Sequence, residues 1–570
     1  MSRDRLTRRS VAREIREEAA EVAWLGTYAE QRTNGEEADY RNQDNELSFI
    51  ANYSKALPHS RTGEVDPLAY RALLRALDGE DPRLFERIPL GRPSALNLNN
   101  PQSGLAFDLE GPDAQAVAEP PPPRIDSAEN AAEMGELYWM ALLRDVRFTD
   151  YGTGAGTDAG PNTTADAVAS LNAFSDFRGP AYPLGPVAAG TLFRGFPRGA
   201  LEGPWVSQFL LLGTEDPALG LGTQDGYIRY GTLLIDQRTR RAKAGKDYLT
   251  RYEAPAPGPP GAAMPPNWLA AQKGVDYRNT DVILPDRRFI RTLRDLATYV
   301  HFDALYEAYL NACLILISIQ GPVGASAPPD QGNPYLDSRT QDGFGTFGAP
   351  HVLSLVTEVA TRALKAVWYQ KWGVHRRLRP EEFGGRIDVH LRGLPGRPGH
   401  LPVALGRFPQ IHLEILDEAP GGVLERVRTR NLASFGNDTY LLPQAFPEGA
   451  PTHPAYGAGH ATVAGACTTI LKAFFDESFL LPQTLVPDAV GNALIDLGAS
   501  GLTVGGELDK LAANIALARN GAGVHWRSDY TQSVLLGEQL AIGILEEQSL
   551  TYNEHQHFTL TRFDGTGVEI

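Results

Sequence analysis

The sequence predicts an all-α protein, a large helical bundle with minor β-hairpins and long ordered loops. Three observations predict it. From Asp286 onward, apolar residues recur at the three- and four-residue spacing of amphipathic helices. Several of those segments are apolar nearly all round, as helices inside a bundle are. Elsewhere 58 glycines and 42 prolines cut the 570-residue chain into turns and connections.

Taken in order, Met1 to Ala20 alternates arginine and glutamate. Arg8 and Arg9 are followed by no apolar stretch, so no export signal is read. This points to the cytoplasm without fixing the compartment. Asn34 to Asn52 is polar, and Pro120 to Pro123 stops whatever precedes it. Ser127 then caps a helix whose Met134, Leu137, Tyr138, Ala141 and Leu142 share a face. Tyr151 to Thr163 and Ala254 to Pro266 read as Gly/Pro-rich surface connections.

Arg288 to Ile319 reads as one long helix, with Leu293, Leu296, Ala297, Val300 and Ala304 on one side. Further helices are expected over Val352 to Tyr369, His460 to Phe474, Leu508 to Ala518 and Tyr530 to Leu545. Arg386 to Leu391 and Ile411 to Ile415 carry a β signal and suggest a hairpin. The chain divides into a loop-rich part, 1–285, that does not stand alone, and a helical-bundle part, 286–570, that carries the candidate site.

Composition narrows the function. Hydrophobic residues at 42% supply a large core, and the net charge is −16. With a pI near 5.3, that charge argues against a nucleic-acid binder or a ligand of anionic membranes, which carry basic fields. The longest apolar run, Ala312 to Ile317, is far too short to span a bilayer. Cys313 and Cys467 sit among apolar neighbours and read as buried free thiols.

Three stretches carry chemistry. The first, Trp368 to Pro380, holds Gln370, Lys371, His375, Arg376, Arg377 and Arg379, a reversal of sign in an acidic protein. Alone it reads best as a solvated basic helix end. The second, His453 to His460, places Gly457, Ala458 and Gly459 just before an apolar helix. Such a start frees backbone N–H groups for an anion, and its two histidines can move protons near neutral pH. The third runs from Arg519 through His525 to Asp529. Asp529 lies one turn after His525, where it can orient the ring or pair with Arg527. Neither HExxH nor a Cys/His zinc spacing occurs. Together the three stretches describe a cage for an oxyanion such as phosphate or vanadate, with one histidine left to attack or coordinate its central atom.

In order and spacing these stretches resemble the signature of the vanadium-dependent haloperoxidases and the related type 2 acid phosphatases. Seven residues separate Lys371 from Arg379, the longer spacing of the bromoperoxidases. Gly63 to Pro67, Gly104 to Gly111, Thr191 to Gly195 and Leu442 to Gly449 are also similar to bacterial and red-algal members, so the likeness spans nearly the whole chain.

The resemblance implies a vanadate cofactor whose oxygens meet Lys371, Arg379, Arg519 and the Gly459 N–H, with His525 bonded to vanadium. His460 and His453 would handle the proton of hydrogen peroxide. Trp368 and Gln370 would lie near the halide path. The implied reaction oxidises bromide or iodide to a hypohalous-acid-like species that halogenates a small organic nucleophile. The alternative is an acid phosphatase using a phosphohistidine in the same cage. Family likeness further implies a homo-oligomer, a dimer or a dodecamer of dimers, and calcium without assigned ligands. The chain departs from the family pattern at Ala458, where a serine is usual, and from the red-algal members at Gln370, where they carry a basic residue.

Overall fold

The computed structural model describes residues 5–570 apart from 27, 43–44, 80, 93–94, 181–182, 184, 215–225, 231, 239–244, 254–264, 320–328, 397–399, 401–406 and 417–419. Its longer helices are α1 (Arg5–Leu25), α2 (Pro67–Asp78), α3 (Ala128–Leu142), α4 (Leu293–Phe302), α5 (Glu307–Ser318) and α6 (Ala349–Trp368). They continue with α7 (Pro380–Gly393), α8 (Val423–Phe435), α9 (Gly459–Phe474), α10 (Val504–Gly521) and α11 (Arg527–Ser549). Among the described residues, strands form only three separate two-stranded antiparallel sheets: Tyr227–Tyr230 with Leu233–Asp236, Leu485–Pro487 with Leu494–Asp496, and Thr559–Thr561 with Gly567–Glu569. The all-α expectation holds.

Helix α9 is the centre of the bundle. It packs against α6, α10 and α11, and every residue from Ala461 to Phe474 is buried. Its crossing with α11 is unusually close because glycine stands on both sides. A Cβ on Gly465 would lie 2.0 Å from the Val534 carbonyl oxygen, and one on Gly537 2.0 Å from that of Thr462. Any larger residue at either position would push the backbones apart.

The Ser127 cap is present: its hydroxyl accepts from the Asn130 N–H at 3.1 Å. Helix α3 has a polar edge that hydrophobic patterning hides. Glu136 takes the Arg527 guanidinium, with Nε donating at 2.7 Å, and both side chains are almost fully buried. Glu133 and Asn130 each accept from Arg377 at 2.9 Å. This edge therefore fixes the start of α11 and the end of the basic stretch. Arg527 pairs with Glu136 rather than Asp529. Truncating one member of a buried pair strands the other charge. Glu136→Ala should thus cost about 3–5 kcal/mol of stability, read as a lowered melting midpoint.

Three expectations need correction. The expected helix over Arg288 to Ile319 is two helices, α4 and α5, bent by 100°. Asp303 between them is extended (φ −68°, ψ 149°), and the Glu307 carboxylate reaches back to the Ala304 N–H at 3.1 Å to start α5. The hairpin over Arg386 to Leu391 and Ile411 to Ile415 does not exist. The first segment lies inside α7, and the second overlaps the helical turn Leu413–Leu416. Pro380 opens α7, the Glu382 side chain accepts from the Arg379 N–H at 3.0 Å, and Asp388 pairs with Arg392 one turn on. All of α7 is buried, its charged residues included, so the alternation of Ile387, Val389 and Leu391 with Arg386, Asp388 and His390 marks no solvent-facing strand edge. Third, the basic stretch is no solvated helix end: Lys371, Arg377 and Arg379 are at most 3% exposed.

The segment 254–266 lies outside the described residues save for its last two positions. Cys313 and Cys467 are buried free thiols. No single helix among the described residues is long and apolar enough to cross a membrane, and the bent α4–α5 pair that passes such a test together lies largely within the core.

Candidate active site

The three stretches meet at one cavity of about 280 Å³ whose wall includes Trp368, His453, Gly459, His460, Arg519 and His525. Each arrives from the end of an element. After α6 the chain continues as a π-helical turn, Tyr369–His375, carrying Lys371, and Arg379 stands immediately before α7. Gly459 and His460 open α9, Arg519 lies in the last turn of α10, and His525 precedes α11. Helix termini leave backbone groups without intrahelical partners, so their convergence makes a polar pocket inside an apolar bundle.

The cations are held by the chain itself. Lys371 Nζ donates to the carbonyl oxygens of Pro454 (2.8 Å), Ala455 (3.0 Å) and Gly457, and lies 5.5 Å from the centre of the Trp368 ring. Arg379 donates from Nε to the His453 carbonyl (2.9 Å) and from Nη1 to that of Val524 (2.8 Å). It also contacts two cavity histidines, with Nη2 at 2.8 Å from His453 Nδ1 and Nη1 at 2.9 Å from His525 Nε2. Arg519 donates from Nη1 to the Val300 carbonyl at 3.0 Å, while its buried Nε–H has no partner among the described residues. Burial lowers the pKa of both Arg379 and Arg519 to about 10, which leaves them charged at neutral pH.

These contacts assign the ring nitrogens. His525 Nδ1 lies 2.8 Å from Asp529 Oδ2, so Nδ1 carries the hydrogen and Nε2 keeps its lone pair toward Arg379. Arginine can only donate, so His453 Nδ1 is an acceptor and its Nε2 bears the hydrogen. This contact is shorter than the 3.2 Å approach of the Pro454 carbonyl to the same nitrogen. Burial, reinforced by neighbouring cations (Arg379 and Lys371 foremost), holds both imidazoles well below the usual histidine range, hence neutral.

Sequence reasoning missed the acidic side of the cavity. His460 Nε2 lies 3.2 Å from Asp303 Oδ1, the residue at the α4–α5 bend. His301 Nε2 lies 2.7 Å from Glu448 Oε1, and its ring stacks on Phe446 with centroids 3.9 Å apart. Asp303, His301 and Glu448 all line the cavity. The one available signal was an aspartate interrupting an apolar helical run. Gln370 is elsewhere. Its Nε2 donates to Gln31 Oε1 and the Val117 carbonyl, both at 3.0 Å, and its Oε1 accepts from the Glu119 N–H, so the amide serves the 117–119 segment rather than the cavity. Among the described residues no group of three or more His, Cys, Asp or Glu is clustered to hold a metal ion.

Comparison with known proteins places this arrangement. The signature of the VCPO second helical-bundle domain matches residues 431–553, which hold the second and third stretches. The vanadium-dependent bromoperoxidase of Corallina officinalis is 42% identical across 98% of this chain and 97% of its own length. The chain belongs to the vanadium-dependent bromoperoxidase family. A further member, from Ascophyllum nodosum, is 31% identical across 92% of this chain and 87% of its own. The homohexameric structure of the second vanadate-dependent bromoperoxidase of Ascophyllum nodosum matches with a TM-score of 0.82 at 27% identity, covering 100% of this chain and 91% of that one. Family membership favours bromide peroxidase over acid phosphatase for this cavity.

Proposed function

We propose that the cavity holds vanadate and that the chain oxidises bromide or iodide with hydrogen peroxide, releasing a hypohalous-acid-like species that halogenates small organic nucleophiles. One observation carries this reading. A neutral imidazole with a lone pair, His525 Nε2, stands among three buried cations, Lys371, Arg379 and Arg519, beside the first amides of α9. The donor set fits a multiply charged oxyanion whose central atom His525 Nε2 would ligate. The Arg519 Nε–H has a hydrogen to give, and Gly459 N–H belongs to a helix start that supplies no acceptor for it. In this reading Lys371, Arg379, Arg519 and Gly459 would hold the oxygens, and His525 would ligate vanadium.

Bound vanadate(V) supplies a Lewis acid that makes peroxide electrophilic without changing oxidation state. The protein supplies the rest. The overall reaction consumes one proton for each halide oxidised: hydrogen peroxide, halide and a proton give hypohalous acid and water. With Nε2–H turned to Asp303, His460 keeps its lone pair at Nδ1, where it can take a proton from peroxide and return one. His453 offers Nε2–H beside the Trp368 ring, 4.8 Å away, as a donor for peroxide or halide. This donor, where an aromatic residue would give none, underlies the expected preference for bromide and iodide over chloride.

Assembly from several copies belongs to the same reading. Val22, Trp24 and Leu25 at the end of α1 are 57–83% exposed, and the matched Ascophyllum nodosum structure is a homohexamer.

Bromination of a phenolic dye by the purified protein, with bromide and hydrogen peroxide, tests the reaction. Turnover should require orthovanadate and be suppressed by phosphate. Hydrolysis of a phosphomonoester without bromination would instead assign the cavity to a phosphatase.

A further inference from the structure

Position 458 is where this chain departs from its family's oxyanion signature. Ala458 is the N-cap of α9 yet offers no side-chain hydrogen bond there. A hydroxyl nevertheless reaches that residue, from another helix. Ser533 on α11, fully buried, accepts the Ala458 N–H at Oγ over 2.7 Å. On its other side lies the Glu119 carboxylate, itself 3% exposed.

A serine hydroxyl has one hydrogen to give and two lone pairs to receive. Between an amide donor and a carboxyl oxygen, Ser533 can accept from the first and donate to the second. Both Glu119 oxygens are buried and have no hydrogen-bond partner among the described residues, so they stand as open acceptors for the hydrogen that Ser533 still has to give. The carboxylate presses against the same loop, since a Cβ built on Gly457 would lie 2.4 Å from Oε2. The Glu119 N–H donates to the side chain of Gln370, next to Lys371. Lys371 in turn donates to the Pro454, Ala455 and Gly457 carbonyls. Ser533, Glu119 and Lys371 thus grip one short loop from below, and that loop ends at the Gly459 amide.

Resting on the vanadate reading above, we propose that Ser533 is a positioning residue of the oxyanion cage. Its hydroxyl, set between the Ala458 N–H and Glu119, fixes the 457–459 backbone so that the Gly459 N–H faces the bound oxyanion. It thereby supplies from α11 the anchoring that position 458 cannot supply from its own side chain. Ser533 does not line the cavity and acts through Ala458.

The test is a double-mutant cycle on the full-length protein, read as orthovanadate affinity by equilibrium dialysis. Melting midpoints without vanadate are measured in parallel. Ser533→Ala should weaken orthovanadate by roughly two- to ten-fold, the value of one neutral buried hydrogen bond. Ala458→Ser should recover most of that loss in the Ser533→Ala background and add little to the wild type. Ser533→Thr, which keeps the hydroxyl, should bind like the wild type. Ser533→Cys, close in volume but a poor hydrogen-bonding group, serves as a second probe if the alanine variant folds badly. Unchanged affinity in Ser533→Ala would overturn the proposal. A loss that Ala458→Ser does not recover, or a lowered melting midpoint with intact affinity, would reduce Ser533 to a packing residue. If the wild type binds no orthovanadate at all, the vanadate reading fails first and this inference with it.

Discussion

Replacing His525 with alanine should abolish vanadate-dependent bromination while leaving the protein folded. Within the proposed cage the imidazole is the group that can give an electron pair to a central atom, because Lys371, Arg379 and Arg519 have only hydrogens to offer. Its tautomer is fixed by Asp529, so the lone pair is on the correct nitrogen before anything binds. Weakening that support gives a useful scale. Loss of the group that hydrogen-bonds a metal-ligating histidine costs about 10–100-fold in metal affinity. Asp529→Asn should therefore lose affinity in that range, and His525→Ala should lose more. The three cations remain in both variants, so weak, phosphate-competable oxyanion binding should persist in His525→Ala even with no turnover. Equilibrium dialysis against orthovanadate, beside the dye assay, separates the two effects. Vanadate-dependent bromination at the wild-type rate by His525→Ala would sink the ligand assignment.

His460→Ala should show the opposite split. His460 is placed to move a proton rather than to ligate, and a positioned general acid or base contributes roughly 10²–10⁴-fold in rate. Bromination should fall by about that factor while orthovanadate affinity stays near wild type. Asp303→Asn should cost less. It removes a charge from the Nε2 side of the ring but leaves the imidazole in place. Equal losses of affinity and rate in His460→Ala would place this histidine among the oxyanion ligands instead.

Much of this was legible in the sequence, and the exceptions share a cause. Helices α3, α6, α9, α10 and α11 announce themselves by spacing, because each buries a continuous apolar face on neighbours that any bundle provides. The cage residues are legible because they sit at helix ends, at fixed distances along the chain from the glycines and prolines that end those helices. Helix α7 misleads: buried all round, it has no exposed face to segregate its charged residues at helical spacing, and Ile387, Val389 and Leu391 alternate with polar residues like a strand. The bend at Asp303 is invisible because its partner, His460, is 157 residues away. Ser533 lies 75 residues beyond Ala458, and nothing local to either predicts that they touch. Local patterning encodes which surfaces are buried; it does not encode what a buried polar group meets there.

The glycine contacts between α9 and α11 bear on durability. With backbone against backbone at Gly465 and Gly537, the two helices have almost no side-chain layer between them to loosen. Gly459, His460 and His525 all stand at the N-terminal ends of this pair. The helix start and the His525 imidazole thus ride on one stiff body, at the high-stability end of the structure. An enzyme that generates a strong oxidant gains from this arrangement. Wear at the surface, where the exposed end of α1 lies, can accumulate before the spacing between helix start and imidazole changes.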